Sequence, residues 1–490
     1  MTARALIWFR RDLRLDDNLA LVEAARDYDE LVGVFVLSPR MWRAHDEAPR
    51  KVQLWLDAAE GLGAALEARG VALKVLRADT PGEVAAALRE LCKALDCKAI
   101  YFNNEYEINE QRRDLKVAEM AADEGLHLRR FDTRYLTLPG SLKTAAGGPY
   151  TVFTPFRRRW AEALSAVEHR PLSAPTPRQR SALARDPVPT QLEGFEGGFD
   201  RALWPATEAE AERRLKRFVS HGLAAYAEGR DRPAEAGTSA LSPYLAAGLL
   251  SPRRALAAAL KANNGRLSGG LPGSLAGPST WLSELAWRDF YGHVLVNFPR
   301  VSRHRAFKVE TERLAWREAP DELSRWCAGQ TGFALVDAGM RQLMATGWMH
   351  NRVRMVVASF LSKDLMLDWR LGERHFMQHL IDGDLAANNG GWQWAASTGT
   401  DAQPWFRIFN PDAQAEKFDP EARYIGRWVP ELKGLSLKQI ARLTPAERRA
   451  RGYAQPMVDR GASRARVMAA FRALGLGDEA PHDAGADPNA

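Results

Sequence analysis

Arg4-Ala-Leu-Ile-Trp-Phe9, followed at once by Arg10-Arg-Asp-Leu-Arg-Leu-Asp-Asp-Asn18, sets the fold class. A short apolar run closed by a charged loop reads as a buried strand. Similar runs return at Leu31–Leu37, ended by Ser38-Pro39, and at Ala72–Leu76, Ala99–Phe102 and Leu126–Phe131. Between them lie helical patterns, among them about 18–27, about 49–69 and one from Thr80-Pro-Gly-Glu83 to about 95. Thr80 has the side chain of an N-cap, and proline suits the first helical position. Strands alternating with helices predict a Rossmann-like parallel α/β domain over residues 1–131. No G-x-G-x-x-G follows the first run, so the ordinary dinucleotide fingerprint is missing.

Beyond it the regular patterns thin out over 132–205, where Pro139, Gly147-Gly-Pro149, Pro171, Pro175, Pro177, Pro187 and Pro189 predict an extended interdomain linker. From 206 to 475 the patterns are helical, at 208–228, 252–262, 279–297, 321–328, 333–346, 348–361 and 370–381, which predicts a large all-α domain. The glycine-rich Gly265–Gly277 reads as an exposed loop, and 476–490 as a disordered tail.

A chain of 490 residues with 46% hydrophobic and 26% charged residues is a globular protein too long for one core. It lacks an 18-residue apolar stretch and a signal peptide's apolar run, so membrane insertion and secretion are not expected. Three cysteines without ligand spacing point to a reducing, cytoplasmic setting and no metal site; His375 and His379, spaced i, i+4 without a third ligand, read as structural. Residues 1–130 carry 20 Lys/Arg against 23 Asp/Glu, whereas 131–490 carry 48 against 38. A basic surplus confined to the second part favours a polyanionic partner there. Ten of the fifteen tryptophans lie at or after Trp281, more than packing alone needs.

Candidate chemistry concentrates at Asp382-Gly-Asp-Leu-Ala-Ala-Asn-Asn-Gly-Gly-Trp-Gln-Trp394. Its carboxylates and carboxamides suit a planar heterocycle with several N–H and C=O groups, and Gly383, Gly390 and Gly391 would weaken an ordinary packed helix. A polar loop capped by two core tryptophans is the competing reading. Thr238-Ser-Ala-Leu-Ser-Pro243 places hydroxyls and turn amides ahead of a helix, fit for phosphate or for plain capping. Trp281, Glu284, Trp287, Arg288 and Tyr291 share one helical stripe, poor as core and good for stacking on bases and bonding their edges. In Trp348–Met355, Asn351, Arg354 and Met355 share a face while Arg352 points elsewhere.

In this order, Arg10–Asn18, Gly237–Ser242, Trp281–Tyr291, Gly347–Met355 and Asp382–Trp394 resemble the photolyase/cryptochrome family, and within it the bacterial class I cyclobutane pyrimidine dimer photolyases. The resemblance spans roughly residues 3–475. It implies an α/β domain linked to an all-helical FAD-binding domain, and repair of the dimer by an electron from photoexcited reduced FAD. Tyr226, Thr238, Ser239, Leu241 and Ser242 are similar to the family's flavin contacts, with Trp281 and Arg288 nearby and Ala240 where some relatives carry a larger polar residue. Asp382, Gly383 and Asp384 would lie beside the isoalloxazine, Arg354 would pair with Asp382, and Asn388 would face flavin N5. Plant cryptochromes carry aspartate there, so Asn388 favours repair over signalling.

By the same resemblance Glu284, Trp287, Tyr291, Asn351, Met355 and Trp394 would form the lesion pocket, while Arg230, Arg352 and Gln414 would contact the DNA strand. Trp392, Trp369 and Trp316 match the family's electron-transfer tryptophans; three core indoles are the alternative. Tyr106-Glu-Ile-Asn-Glu110 is similar to the segment that binds 5,10-methenyltetrahydrofolate, with Asn109 and Glu110 as contacts. Ser302-Arg303 stands where folate-binding relatives often have Cys-Lys, which leaves 8-hydroxy-5-deazaflavin, or no antenna, open. The expected partner is UV-damaged DNA, single- or double-stranded, bound by a monomer in the bacterial cytosol with no obligate protein partner.

Overall fold

Five strands, β1 (Arg4–Phe9), β2 (Glu30–Leu37), β3 (Ala72–Arg77), β4 (Cys97–Asn103) and β5 (His127–Phe131), form one parallel sheet in the order β3-β2-β1-β4-β5. They coincide with the five apolar runs. The computed structural model describes residues 4–167, 169–267 and 273–475, so the tail expected at 476–490 and part of the glycine-rich loop lie outside the described residues. Trp8, Val34, Leu88, Ile100, Phe102 and Val117 build the core around the sheet, where burying apolar surface supplies the main stabilisation. Capping is local and legible: Thr80 Oγ1 accepts from Glu83 N at 3.2 Å at the start of the Pro81–Leu95 helix. Asn18 does the same for Leu19–Asp27. Pro39 opens a short helix, Pro39–Ala44, directly after β2.

Two expectations need correction. The stretch where regular patterns seemed to thin contains the helix Phe153–Ser165, which buries Phe153, Phe156, Trp160 and Leu164. Their three- and four-residue spacing is helical, in a stretch whose many prolines mask it. The helix Leu385–Ala396 also runs straight through Gly390-Gly391, where a packed helix seemed unfavourable. Two glycines cost about 2 kcal/mol in a helix, which the burial of Trp392 and Ala395 in the same turns offsets.

The remainder is rich in helices, as expected. Pro252–Ala262 is found where the pattern placed it, and Ala276–Asn297 extends its pattern by three residues at the start. The 208–228 pattern breaks at Gly222 into Glu208–His221 and the single turn Tyr226–Gly229. Two compact units result. One comprises the chain to Gly229, Gly237–Pro299 and Met377–Ala386; the other comprises Arg230–Ala236, Arg300–Phe376 and the chain from Ala387. In the second, Leu314, Met366, Trp405, Val467 and Phe471 form a core in which Trp405 stacks on Phe471 at 5.7 Å. The Asn351–Ser359 helix passes there into a π-turn, Phe360–Asp364.

Candidate functional site

In the first unit the Asp382–Asp384 turn is held at each of its residues. Ser242 Oγ donates to Asp382 Oδ2 at 2.6 Å, which joins the Thr238–Pro243 turn to this stretch. The buried Lys51 ammonium donates to Gly383 O at 2.6 Å, and Arg134 forms an ion pair with Asp384. Neither cation was read as a site residue, because their partners are 332 and 250 residues away in sequence. Ala240 has φ +49°, a conformation that costs about 1 kcal/mol without glycine and recurs where a turn must present its amides. Gly237 packs so tightly on the Gly229 backbone that a Cβ would overlap it. Tyr226 and Trp281 flank Phe218, at ring distances of 5.6 and 5.2 Å.

The stripe on Ala276–Asn297 divides by depth. Trp281 is buried, while Glu284, Trp287, Arg288 and Tyr291 are half-buried. Trp287 lies flat on Phe153, with centroids 3.7 Å apart and planes within 7°, so one indole face is covered and its orientation is set. Arg288 donates to Arg134 O and its guanidinium lies 4.8 Å from the Tyr135 ring.

In the second unit Asn388 Nδ2 donates to Glu373 O at 2.9 Å. The buried Glu373 carboxylate accepts from Asn389 Nδ2 and from His304, both at 2.9 Å, fixing one face of the Leu385–Ala396 helix. Trp392 is buried against Phe376 and Trp326, with centroids at 4.9 and 6.0 Å, and its indole N–H has no hydrogen-bond partner among the described residues. Gly372 provides the room, since a Cβ there would overlap the Trp392 ring. Trp369 is fully buried beneath Arg370, and Trp316 is half-buried beside the Trp405 core, a gradient from interior toward solvent. Arg354 Nε donates to Met349 O at 2.8 Å. Asn351 is exposed, whereas Met355, Arg230 and Gln414 are half-buried. Trp394 lies 6.4 Å from Phe409. Arg352 is only 3% exposed; it grips Asp231 with two hydrogen bonds of 3.0 and 3.1 Å and covers the Phe418 ring. A phosphate would have to break that pair before reaching Arg352.

On the segment expected to bind an antenna, Asn109 and Glu110 meet His45, which no local pattern singles out. His45 Nε2 lies 3.0 Å from Asn109 Nδ2, and its Nδ1 lies 3.3 Å from Glu110. Burial opposes the Glu110 anion, but the His45 hydrogen bond and charge outweigh it and hold the carboxyl down at about 2. His45 is raised in turn, despite its own burial, by Glu110.

The described helices include none long and apolar enough to cross a membrane. Residues 5–178 match the family model for DNA photolyase, and residues 281–473 match that for the FAD-binding domain of DNA photolyase. The chain belongs to the DNA photolyase family. It is 42% identical to the deoxyribodipyrimidine photo-lyases of Salmonella typhimurium and Escherichia coli, over 96% of this chain and 99% of each relative. Among solved structures it superposes on a bacterial class III photolyase from Agrobacterium tumefaciens with TM-score 0.83 and 34% identity, covering 97% and 98% of the two chains. A Synechocystis cryptochrome follows at TM-score 0.82 and 28% identity, covering 96% and 99%.

Proposed function

We propose that this chain is a light-driven DNA-repair lyase that uses FAD to split cyclobutane pyrimidine dimers. The observation that carries this is its end-to-end similarity, at 42% identity, to enzymes named deoxyribodipyrimidine photo-lyase. Bound reduced FAD, once excited by light, supplies the electron that splits the dimer. Tyr226, Thr238, Ser239, Ala240, Leu241, Ser242, Trp281, Arg288, Arg354, Asp382, Gly383, Asp384 and Asn388 are the residues we propose for binding it. Their chemistry fits: hydroxyls and turn amides suit a diphosphate, and carboxylates and an amide suit the ring's N–H and C=O edge. With Nδ2 committed to the Glu373 carbonyl, Asn388 has its Oδ1 as an acceptor for a flavin N–H.

Glu284 and Asn351 hydrogen-bond the splayed bases, and Trp287, Tyr291, Met355 and Trp394 enclose them. The dimer leaves the stack more cheaply than intact bases, because its pairing is already weakened. Arg230 and Gln414 position the strand without reading sequence. Arg352 joins them only by exchanging Asp231 for a phosphate. Trp392, Trp369 and Trp316 would carry electrons inward from the surface. For the antenna we favour 5,10-methenyltetrahydrofolate at His45, Asn109 and Glu110 over 8-hydroxy-5-deazaflavin. A monomer working in the bacterial cytoplasm completes the reading.

The test is repair of dimer-containing DNA by the purified protein under blue light, with the flavin shown by absorbance to be reduced. Light-dependent recovery of intact thymines is expected. No recovery with fully reduced flavin present would overturn the proposal.

A further inference from the structure

Arg134 is buried, yet it lies on the irregular segment after β5, where an arginine has no packing reason to be. The Ala276–Asn297 helix latches that segment at several points. Asp289 accepts from the backbone N–H of Leu136 and Thr137 at 3.0 and 2.8 Å, and from the Trp160 indole at 3.0 Å. His293 Nδ1 accepts from Gly140 N at 3.1 Å, and Arg288 donates to Arg134 O. So braced, Arg134 directs one guanidinium nitrogen to Asp384 and the other to Glu107, with Arg134 Nη1 and Glu107 Oε1 2.9 Å apart. Glu107 is itself paired with Arg11 at 2.7 Å, which keeps the guanidinium from swinging away.

The neighbouring Tyr135 adds an independent sign that this corner faces a ligand. Its hydroxyl is buried and has no hydrogen-bond partner among the described residues, which is costly unless something absent from the protein chain supplies one. Burial and then the Asp384 charge push that phenol's ionisation up, so the hydroxyl stays a neutral donor beside the carboxylate. The ring has a dedicated recess, since a Cβ on Gly292 would approach its Cζ to 2.6 Å.

We infer that Arg134 is a positioning residue for the cofactor: it fixes the Asp384 carboxylate, in charge and direction, for the flavin ring that Asp384 is proposed to face. This rests on the FAD reading given above. Removing one partner of a buried ion pair leaves the other's charge uncompensated, so the carboxylate would turn toward solvent or take up a proton. Either change alters the field on the ring as well as its affinity.

The test is a double-mutant cycle on the full-length protein with R134M, R134K and D384N, reading the FAD dissociation constant and the flavin midpoint potential. R134M should weaken FAD binding by about tenfold, the usual scale for a lost charged hydrogen bond, and should move the potential, with R134K restoring most of both. In the D384N background the same substitution should cost little, because the coupling partner is already neutral. A chain whose R134M variant keeps the native dissociation constant and potential, or loses as much in the D384N background, would overturn the inference. If R134M does not fold, R134Q removes the charge while keeping a donor and is read against the same outcomes. A native protein that retains no flavin at all would instead overturn the FAD reading.

Discussion

Asn388 shows how one amide can be made directional. A free carboxamide can turn either end toward a ligand, but donation of one N–H to the Glu373 carbonyl at 2.9 Å fixes which way Oδ1 points. Glu373 is held in its turn through its side chain by Asn389 and His304, so the carbonyl is not free to drift. An aspartate at 388 would set carboxylate oxygen against carbonyl oxygen, losing the bond and repelling its support. For N388D we expect reduced flavin to reoxidise in air about tenfold faster, the equivalent of one lost hydrogen bond. Following the flavin absorbance of both proteins after aeration checks this, and equal rates would show that the amide's direction is not what stabilises reduced flavin.

At the scale of elements, two helices are tied down by neutral histidines acting as acceptors. His293, on Ala276–Asn297, accepts from Gly140 N through Nδ1 and lies 2.9 Å from Thr137 Oγ1. His350 caps Asn351–Ser359 by accepting from Arg352 N at 3.2 Å. Burial lowers each pKa from 6.5 to about 4, aided by Lys143 for His293 and opposed by Asp231 for His350. Below pH 6.5 these two histidines take up protons in the unfolded chain and refuse them in the folded one, so their contribution to stability falls as the pH drops toward about 4 and then levels off. Each ring can withdraw up to about 3 kcal/mol across that window. Burial also raises Glu208 to about 7 and Asp364 to about 6, which adds stability over the same fall in pH, so the check is a difference between proteins. Between neutral pH and about pH 4.5, H293Q, which keeps an acceptor and cannot titrate, should lose less stability than the native protein in urea denaturation, by up to about 3 kcal/mol. An equal change in both proteins would count against this.

Elements were also the scale at which the sequence was most legible. Strand runs, the Thr80 cap and the Pro252–Ala262 helix depend on neighbours within a few residues, so local pattern suffices. The Gly390-Gly391 helix was obscured because tertiary burial overrode a local penalty. Lys51, Arg134 and His45 were obscured for the opposite reason, since nothing local marks a side chain whose partner is 332, 250 or 64 residues away.

The topology of the α/β sheet bears on which antenna the whole molecule can carry. The order of strands reverses between the parallel β1 and β4, and open parallel sheets take ligands in the crevice at the carboxyl ends of such strands. Here that crevice is packed with paired charge. Arg10 bonds Asp114 at 2.7 Å, Arg113 bonds Glu105 at 2.7 Å, and Asn103 donates to Asp12 at 2.6 Å, while the Arg10 guanidinium covers the Trp8 ring at 4.3 Å. A planar tricycle entering there would strand several buried ions, at several kcal/mol each. The cluster of His45, Asn109 and Glu110 is different, because Asn109 is exposed and His45 half-buried, so a ligand can reach these two without unpairing the interior, while Glu110 stays buried against His45. Purified protein mixed with 5,10-methenyltetrahydrofolate should therefore retain it and show its near-ultraviolet band, while 8-hydroxy-5-deazaflavin should elute free. His45→Ala should weaken folate binding by about tenfold through loss of one hydrogen-bonding contact, and leave FAD content unchanged. Retention of the deazaflavin in place of the folate would mean that the Arg10–Asp114 network opens, and would move the antenna to the sheet's crevice.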